Sequence, residues 1–222
     1  MNNVLANHVL PIVAISGYLL YPKNIRINST LLHNLSIIHN GFLVIFSGWT
    51  FFSLSQLLYE NGIVFQHNYY FQNSTFDHIV YLFYMSKYYE FFDTFLLYLN
   101  NKTPIFLQKY HHIGAVICWH LLYTYKVDSI WIPTVANSFV HTIMYSYYLG
   151  CLLKIKWVRF IKKYITYLQL TQLTVPIYLA LYMYYPVETL FNYQLILFFF
   201  AYVCGLILLF LQFFYKNYVK SE

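Results

Sequence analysis

Apolar residues run along this chain in seven stretches of about the 20 residues that a membrane-spanning helix needs. Short breaks of polar residues or proline separate them, such as 100–103 and 126–129. Because the later breaks are short, consecutive helices are expected to run antiparallel as neighbours. No internal repeat or Gly/Ser-rich linker appears, so 1–222 is predicted to form one domain, an all-α membrane protein with seven transmembrane helices in a compact bundle. The predicted spans are 4–21, 35–58, 76–99, 104–125, 130–151, 160–183 and 188–215.

The composition supports a membrane protein. Hydrophobic residues make up 60% of the chain and charged residues only 9%, whereas a soluble domain carries roughly a quarter charged residues. Cys118, Cys151 and Cys204 lie far apart in apolar segments, a pattern that predicts neither a disulfide framework nor a zinc site. The first 21 residues lack a basic region and a small-residue cleavage site, so we expect a first span rather than a cleaved signal.

The basic residues indicate the orientation. Loops on the cytosolic side carry an excess of Lys and Arg. With the N-terminus on the lumenal side and the C-terminus in the cytosol, eleven of the thirteen basic residues face the cytosol. These are Lys23, Arg26, Lys102, Lys109, Lys154, Lys156, Arg159, Lys162, Lys163, Lys216 and Lys220. The reverse orientation fits poorly.

Ionisable residues inside the third span are the first candidates for chemistry. Lys87, Glu90 and Asp93 are spaced at i, i+3 and i+6, and Thr94 follows at i+7, so all four lie on one stripe of a helix. Charged residues at membrane depth are costly and by default suggest a functional site. A self-neutralising ion-pair ladder that holds helices together is the structural alternative.

The fourth span adds a pair of adjacent histidines. Gln108, His111 and His112 share one helix face, at i, i+3 and i+4. A lone buried histidine is usually a satisfied polar group, but an adjacent pair beside a glutamine favours a site. Two further rows have the spacing of one helix face: His141, Tyr145 and Tyr148 on span 5, and Thr166, Gln169 and Gln172 on span 6. Packing and interhelical hydrogen bonds are the alternative explanation for these rows.

All four polar stripes fall in the cytosolic half of their spans, although the spans alternate in direction. We therefore predict a polar chamber that opens to the cytosol and continues into an apolar interior. Basic residues surround its mouth: Lys102, Lys109, Lys154, Lys156, Arg159, Lys162 and Lys163. They suit contact with anionic lipid or a substrate that carries phosphate.

The motifs together resemble those of the ELO family of very-long-chain fatty acid elongases, the membrane 3-ketoacyl-CoA synthases. The Lys-x-x-Glu-x-x-Asp-Thr motif stands at 87–94, and Gln108 replaces the first histidine of the His-x-x-His-His box. The His-x-x-Met-Tyr-x-Tyr-Tyr motif is complete at 141–148, preceded by Asn137, and Thr-x-x-Gln-x-x-Gln stands at 166–172.

The resemblance implies a seven-helix acyltransferase of the endoplasmic reticulum membrane, with its helices around a closed acyl tunnel. It would condense acyl-CoA with malonyl-CoA to a 3-ketoacyl-CoA, CO2 and CoA, through an acyl-histidine intermediate and without a further cofactor or metal. The implied partners are these two substrates, membrane lipids, a second copy of the chain, and the reductases and dehydratase of the elongation cycle. No nucleic acid is expected. Glutamine in the first box position suggests polyunsaturated substrates.

The resemblance also implies roles for single residues. His111 is the expected nucleophile, a role that histidine can fill. His141 would face it across the chamber, His112 and Asp93 would orient the imidazoles, and Glu90 and Lys87 would be supporting charges. The expected substrate-binding residues are Gln108, Thr94, Asn137, Tyr145, Tyr148, Gln169, Gln172, Lys109, Lys156 and Arg159. Cys118 shares the face of His111 roughly 10 Å deeper and is the weaker nucleophile.

Two other functions remain open from the sequence. A metal-dependent lipid desaturase or hydroxylase also uses histidine boxes, and a site of three histidines with Glu90 or Asp93 is conceivable. Only His111, His112 and His141 are expected to converge, however. The other histidines are scattered along the chain: His8, His33, His39, His67, His78 and His120. A seven-helix transporter without chemistry is the second alternative.

Overall fold

A computed structural model describes residues 4–21, 25 and 27–220 of the chain; of residues 4–7 and Arg159, only the backbone is described. The described residues form eight α-helices, and they contain no β-strand, which confirms the all-α prediction. The helices are α1 (Val4–Leu20), α2 (Ser29–Asn61), α3 (Ser74–Tyr89), α4 (Phe91–Leu99), α5 (Phe106–Thr124), α6 (Trp131–Leu152), α7 (Lys162–Tyr184) and α8 (Leu190–Phe214).

Each predicted span coincides with a helix, with two differences. The span predicted over 76–99 is divided into α3 and α4 at Glu90. The chain stays close to helical there, because the Asp93 amide donates to the Glu90 carbonyl at 3.0 Å and so tightens one turn. Helix α2 begins six residues before the predicted span at 35, since the Asn28 side chain caps it by accepting from the Thr30 amide at 2.8 Å.

Helices α4, α5 and α6 end in the same way, which makes their connections short. Asn101, Lys126 and Lys154 follow the three helices with positive φ angles of 54°, 52° and 60°. The next amide then reaches back into the last turn, as the Ile155 amide does to the Gly150 carbonyl at 2.9 Å. Two of these left-handed residues are lysines, whose charge also suits a helix C-terminus.

Two helices among the described residues are long and apolar enough to cross a membrane: Ser29–Asn61 and the continuous helical segment Leu190–Val219. Large apolar side chains on their outer faces are exposed, with Ile45 at 74% and Leu208 at 69%. Such exposed apolar surface fits contact with lipid rather than water. These helices support the prediction of a membrane protein; the count of seven spans stays a prediction.

The apolar core lies where α3, α5, α6, α7 and α8 pack together. Its largest fully buried side chains include Phe76, Phe83, Leu122, Tyr184 and Ile196. Helix α2 packs along α6, and α5 packs between α3 and α8. This arrangement places the polar stripes of α3 to α7 around one end of the bundle.

Candidate active site

Two adjoining cavities meet at His111. The larger, about 640 Å³, lies at the end of the bundle where α4 and α6 end and α5 and α7 begin. The smaller, about 30 Å³, is mainly apolar, and it shares His111, Gln172 and Leu173 with the larger one. Ten predicted site residues line the large cavity: Glu90, Asp93, Gln108, His111, His112, His141, Tyr145, Tyr148, Gln169 and Gln172. Asn137 lines the small one.

Lys87 and Glu90 form a buried ion pair behind this cavity. The Lys87 Nζ donates to Glu90 Oε1 and to Asn137 Oδ1, both at 2.8 Å. His141 Nδ1 lies 3.4 Å from the same Glu90 oxygen. The Lys87 ammonium also lies 4.0 Å from the centre of the Phe83 ring, within cation–π range. The pair thus joins α3 to α6 and connects the stripe on the third predicted span with His141.

Asp93 is held by three side chains from three helices. Its Oδ1 contacts Nε2 of His39 at 2.7 Å, and its Oδ2 accepts from the Tyr145 hydroxyl at 2.7 Å. His112 Nε2 lies 3.9 Å from Oδ2. This separation exceeds hydrogen-bond distance, so the orientation of His112 by Asp93 stays a prediction. His39 was not among the predicted site residues, because no other ionisable residue shares its predicted span.

His111 is placed by α8 as well as by its own helix. The Tyr202 hydroxyl donates to the His111 carbonyl at 2.9 Å and lies 3.3 Å from Nδ1. Gly114 makes room for this tyrosine: a Cβ there would lie 2.0 Å from the Tyr202 ring. The ring centres of His111 and His141 are 6.3 Å apart in a T-shaped arrangement, so the two imidazoles are direct neighbours.

Sequence reasoning missed Tyr202 because it lies in an aromatic-rich span in which no polar residue stands three, four or seven positions away. Cys118 is 2% exposed and lines neither cavity, so the thiol has no access to a bound substrate there.

Thr94 and Gln108 form a polar link to α1. Gln108 Nε2 donates to Thr94 Oγ1 at 3.2 Å, and the Tyr18 hydroxyl is 3.0 Å from the same oxygen. Thr94 is 2% exposed and does not line the large cavity, whereas Gln108 does. Thr94 therefore orients the Gln108 amide, and Tyr18 is an unpredicted neighbour of the site.

The residues on α7 differ in their surroundings. Gln169 Nε2 donates to the Met144 sulfur at 3.3 Å, which ties α7 to α6. Gln172 lines both cavities, and its Oε1 is buried without a hydrogen-bond partner among the described residues. An unpaired buried acceptor is costly, so Gln172 is suited to bind a donor from a ligand.

The basic residues of the mouth are only partly those predicted to bind substrate. Lys102 and Lys162 line the large cavity, and both are exposed. Lys109 and Lys156 do not line it, and the side chain of Arg159 lies outside the described residues. Lys162 lies 5.7 Å from the Tyr218 ring, which lines the same mouth.

Three residues of the site lie close enough together to bind a metal ion. Glu90, His111 and His141 each offer a ligand atom, and these atoms lie within 4.8 Å of one another. Two histidines and a carboxylate form a known donor set for zinc. The Lys87 ammonium already bonds Glu90 Oε1 at 2.8 Å, so a metal ion would have to share that carboxylate with a buried cation.

Three known proteins with similar sequences are all named as fatty acid elongases. Fatty acid elongase sre1 of Dictyostelium discoideum is 43% identical over 95 residues, which cover 42% of this chain and 34% of that relative. Fatty acid elongase A of the same organism is 31% identical over 161 residues, 64% of this chain and 56% of the relative. Very long chain fatty acid elongase 5 of Xenopus laevis is 30% identical over 198 residues, 83% of this chain and 65% of the relative.

The chain thus spans between about a third and two thirds of the length of these relatives. No solved structure matches it. The sequence profile described as ELO: GNS1/SUR4 family matches residues 3–222, which include all eight helices and both cavities. This protein belongs to the ELO (GNS1/SUR4) family.

Proposed function

We propose that this protein is a fatty acid elongase that condenses a long-chain acyl-CoA with malonyl-CoA. The products are a 3-ketoacyl-CoA two carbons longer, CO2 and free CoA. The observation that carries the proposal is the position of His111, at the junction of a polar cavity with a lysine-lined mouth and a smaller apolar cavity. The names of the relatives support the same reaction class.

In the first step His111 takes the acyl group. With its proton on Nδ1, the imidazole can donate to the Tyr202 hydroxyl, 3.3 Å away, and the lone pair of Nε2 is free to attack. The nitrogen bonds to the thioester carbonyl carbon, the C–S bond breaks, and CoA leaves with the proton lost by the imidazole. His112, beside the Asp93 carboxylate, stabilises the positive charge that develops on the adjacent ring.

In the second step malonyl-CoA supplies the carbon nucleophile. Its C–C bond to the carboxylate breaks, CO2 leaves, and the electron pair forms the enolate of acetyl-CoA. The enolate carbon attacks the acyl carbonyl, the C–N bond to His111 breaks, and the imidazole regains a proton from solvent. His141, whose ring centre lies 6.3 Å from that of His111, polarises the carbonyl that the enolate attacks.

The mouth of the cavity suits the CoA moiety of both substrates. Lys102 and Lys162 are exposed there and can bind the phosphates as point charges. The acyl chain passes Leu173 and enters the smaller, apolar cavity beyond His111. The reaction needs no cofactor beyond its substrates.

The proposed reaction also implies a membrane location, an orientation and partners for the enzyme. All seven predicted spans cross the endoplasmic reticulum membrane around a closed acyl tunnel, with the N-terminus in the lumen and the C-terminus in the cytosol. The catalytic end then faces the cytosol, where both CoA thioesters are present. The reductases and dehydratase that process a 3-ketoacyl-CoA are the expected partners, and a homodimer is the expected assembly.

The test is a direct assay of purified protein with malonyl-CoA labelled in its carboxyl group and a panel of acyl-CoAs. Release of labelled CO2 that depends on acyl-CoA is expected. Failure to release it across the whole panel would overturn the proposal. His111→Ala is expected to abolish CoA release from acyl-CoA alone, whereas His33→Ala, at an exposed position of α2, leaves it unchanged.

Metal-dependent lipid oxidation is the second candidate, and the cluster of Glu90, His111 and His141 favours it. It is distinguished by metal analysis of the purified protein. Stoichiometric iron or zinc, together with activity that a chelator removes, would support this candidate against the elongase.

A further inference from the structure

His39 is a buried histidine of α2 with one strong polar contact. It is 1% exposed, and its Nε2 lies 2.7 Å from Asp93 Oδ1, across 54 positions of the chain. An ionised carboxylate can only accept, so Nε2 carries the proton in this contact. The other ring nitrogen makes no hydrogen bond within the described part of the chain. The polar function of His39 is therefore its bond to Asp93.

The two oxygens of Asp93 have separate neighbours. Oδ1 faces His39, whereas Oδ2 accepts from Tyr145 at 2.7 Å and lies 3.9 Å from His112 Nε2. The terminal torsion of an aspartate is broad and roughly two-fold, so an unrestrained carboxylate can rotate. Tyr145 holds Oδ2, and His39 as a second donor on Oδ1 fixes the torsion, so that Oδ2 stays on the side of His112.

Aromatic rings surround His39 and leave Oδ1 no other donor in the described structure. The ring centre of His39 lies 5.2 Å from that of Tyr89, 5.3 Å from Phe92 and 6.3 Å from Tyr145. The neighbours Ser36 and Asn40 line the large cavity, but His39 does not. His39 thus contacts the site only through Asp93 and cannot touch a substrate in the cavity.

We propose that His39 is a positioning residue for the condensation, which sets the orientation of Asp93 and, through it, of His112 beside the nucleophile. The inference rests on the proposed function. In metal sites, removal of a residue that hydrogen-bonds to a ligand typically lowers activity about 10- to 100-fold, and we expect a loss of similar size for His39. No motif signals His39 in the sequence, because the pair forms only when α2 packs against α4 and α6.

The test compares variants of His39 that differ in the donor. His39→Phe keeps a ring of similar size without a donor, and kcat for CO2 release is expected to fall roughly 10- to 100-fold. KM for acyl-CoA stays within about 2-fold, because His39 does not touch the substrate. His39→Gln, whose amide nitrogen reaches the position of Nε2, recovers most of the activity, while the shorter His39→Asn does not. His33→Phe, on the same helix but exposed, is the matched control.

A double variant separates positioning from general damage. In an Asp93→Ala background, which has no acceptor for His39, His39→Phe should lower kcat by less than about 2-fold further. If His39→Phe fails to fold, the contrast between the Gln and Asn variants decides. Full activity of His39→Phe, equal losses in the Gln and Asn variants, or additive losses with Asp93→Ala would each overturn the inference. Wild-type protein that releases no CO2 would instead overturn the proposed function.

Discussion

The ammonium of Lys87 donates to the Glu90 carboxylate at 2.8 Å, and both residues are almost completely buried, at 1% and 2% exposure. The same ammonium donates to Asn137 on α6, so one cation links two helices. Glu90 in turn lies beside His141. The sequence left two explanations for these charges, an ion-pair ladder and part of a functional site. The structure shows the ion pair, and Glu90 also lines the large cavity.

Removing one partner of this pair should destabilise the protein more than removing both. Lys87→Met leaves the Glu90 charge buried without its cation, which typically costs about 3–5 kcal/mol of unfolding free energy. Lys87→Met combined with Glu90→Gln should recover most of that loss, because no net charge stays buried. Unfolding of the detergent-solubilised protein by SDS titration measures both, with Lys102→Met at an exposed position as control. Equal losses in the single and double variants would contradict this account of the pair.

Gly114 should be required for the position of His111. A Cβ at Gly114 would overlap the Tyr202 ring at 2.0 Å, so Gly114→Ala displaces the tyrosine that holds the His111 carbonyl. We expect an overpacking cost of about 1–3 kcal/mol and a clear fall in the rate of CoA release from acyl-CoA. Gly41→Ala is the matched change in α2, where nothing lies within 4 Å of a new Cβ, and it should keep full activity. A fully active Gly114→Ala variant would show that Tyr202 has no role at the site.

The sequence predicts the helices well and the contacts between them only in part. Each span is recognisable because membrane helices need long apolar stretches, and the stripes on spans 3 to 6 follow from helical spacing within one element. The division of α3 from α4 at Glu90 carries no such signal, since neither proline nor glycine occurs there.

His39 and Tyr202 show why the rest of the site could not be predicted. His39 is the only ionisable residue of its predicted span, and no polar residue lies at helical spacing from Tyr202. A buried polar residue without such neighbours is usually only a satisfied one. Their partners, Asp93 and His111, are 54 and 91 positions away, so the contacts depend on how α2 and α8 pack. The basic residues at the mouth are a similar case. Lys102 and Lys162 are two of seven basic residues near the mouth, and only the structure shows that these two line the cavity.

Trp119 should limit the length of the acyl chain. It is 4% exposed at the small cavity beyond His111, where its ring meets Phe199 edge-on at 5.7 Å and its Nε1 donates to Thr134 Oγ1 at 3.2 Å. Trp119→Leu removes a large side chain from a cavity of only about 30 Å³ and opens space for further methylene groups. The products from saturated acyl-CoAs should then extend by at least one more elongation cycle. Chromatography of the saponified products measures this, with exposed Trp157→Leu as control; an unchanged product profile would mean that the chain ends elsewhere.

Lys102 and Lys162 should bind the phosphates of CoA. Both are exposed and line the mouth, so Lys102→Met or Lys162→Met removes a charge-assisted hydrogen bond of about 1.5 kcal/mol and raises KM for acyl-CoA roughly tenfold. The increase should shrink at high salt, because exposed charges are screened.

Acyl-pantetheine, which keeps the thioester but lacks the phosphates, tests whether the lysines act on the phosphates. Its KM should be the same for wild type and variants. Lys154→Met, exposed but outside the cavity lining, is the matched control. A KM increase of equal size for both thioesters would assign the lysines to the shape of the mouth instead of phosphate binding.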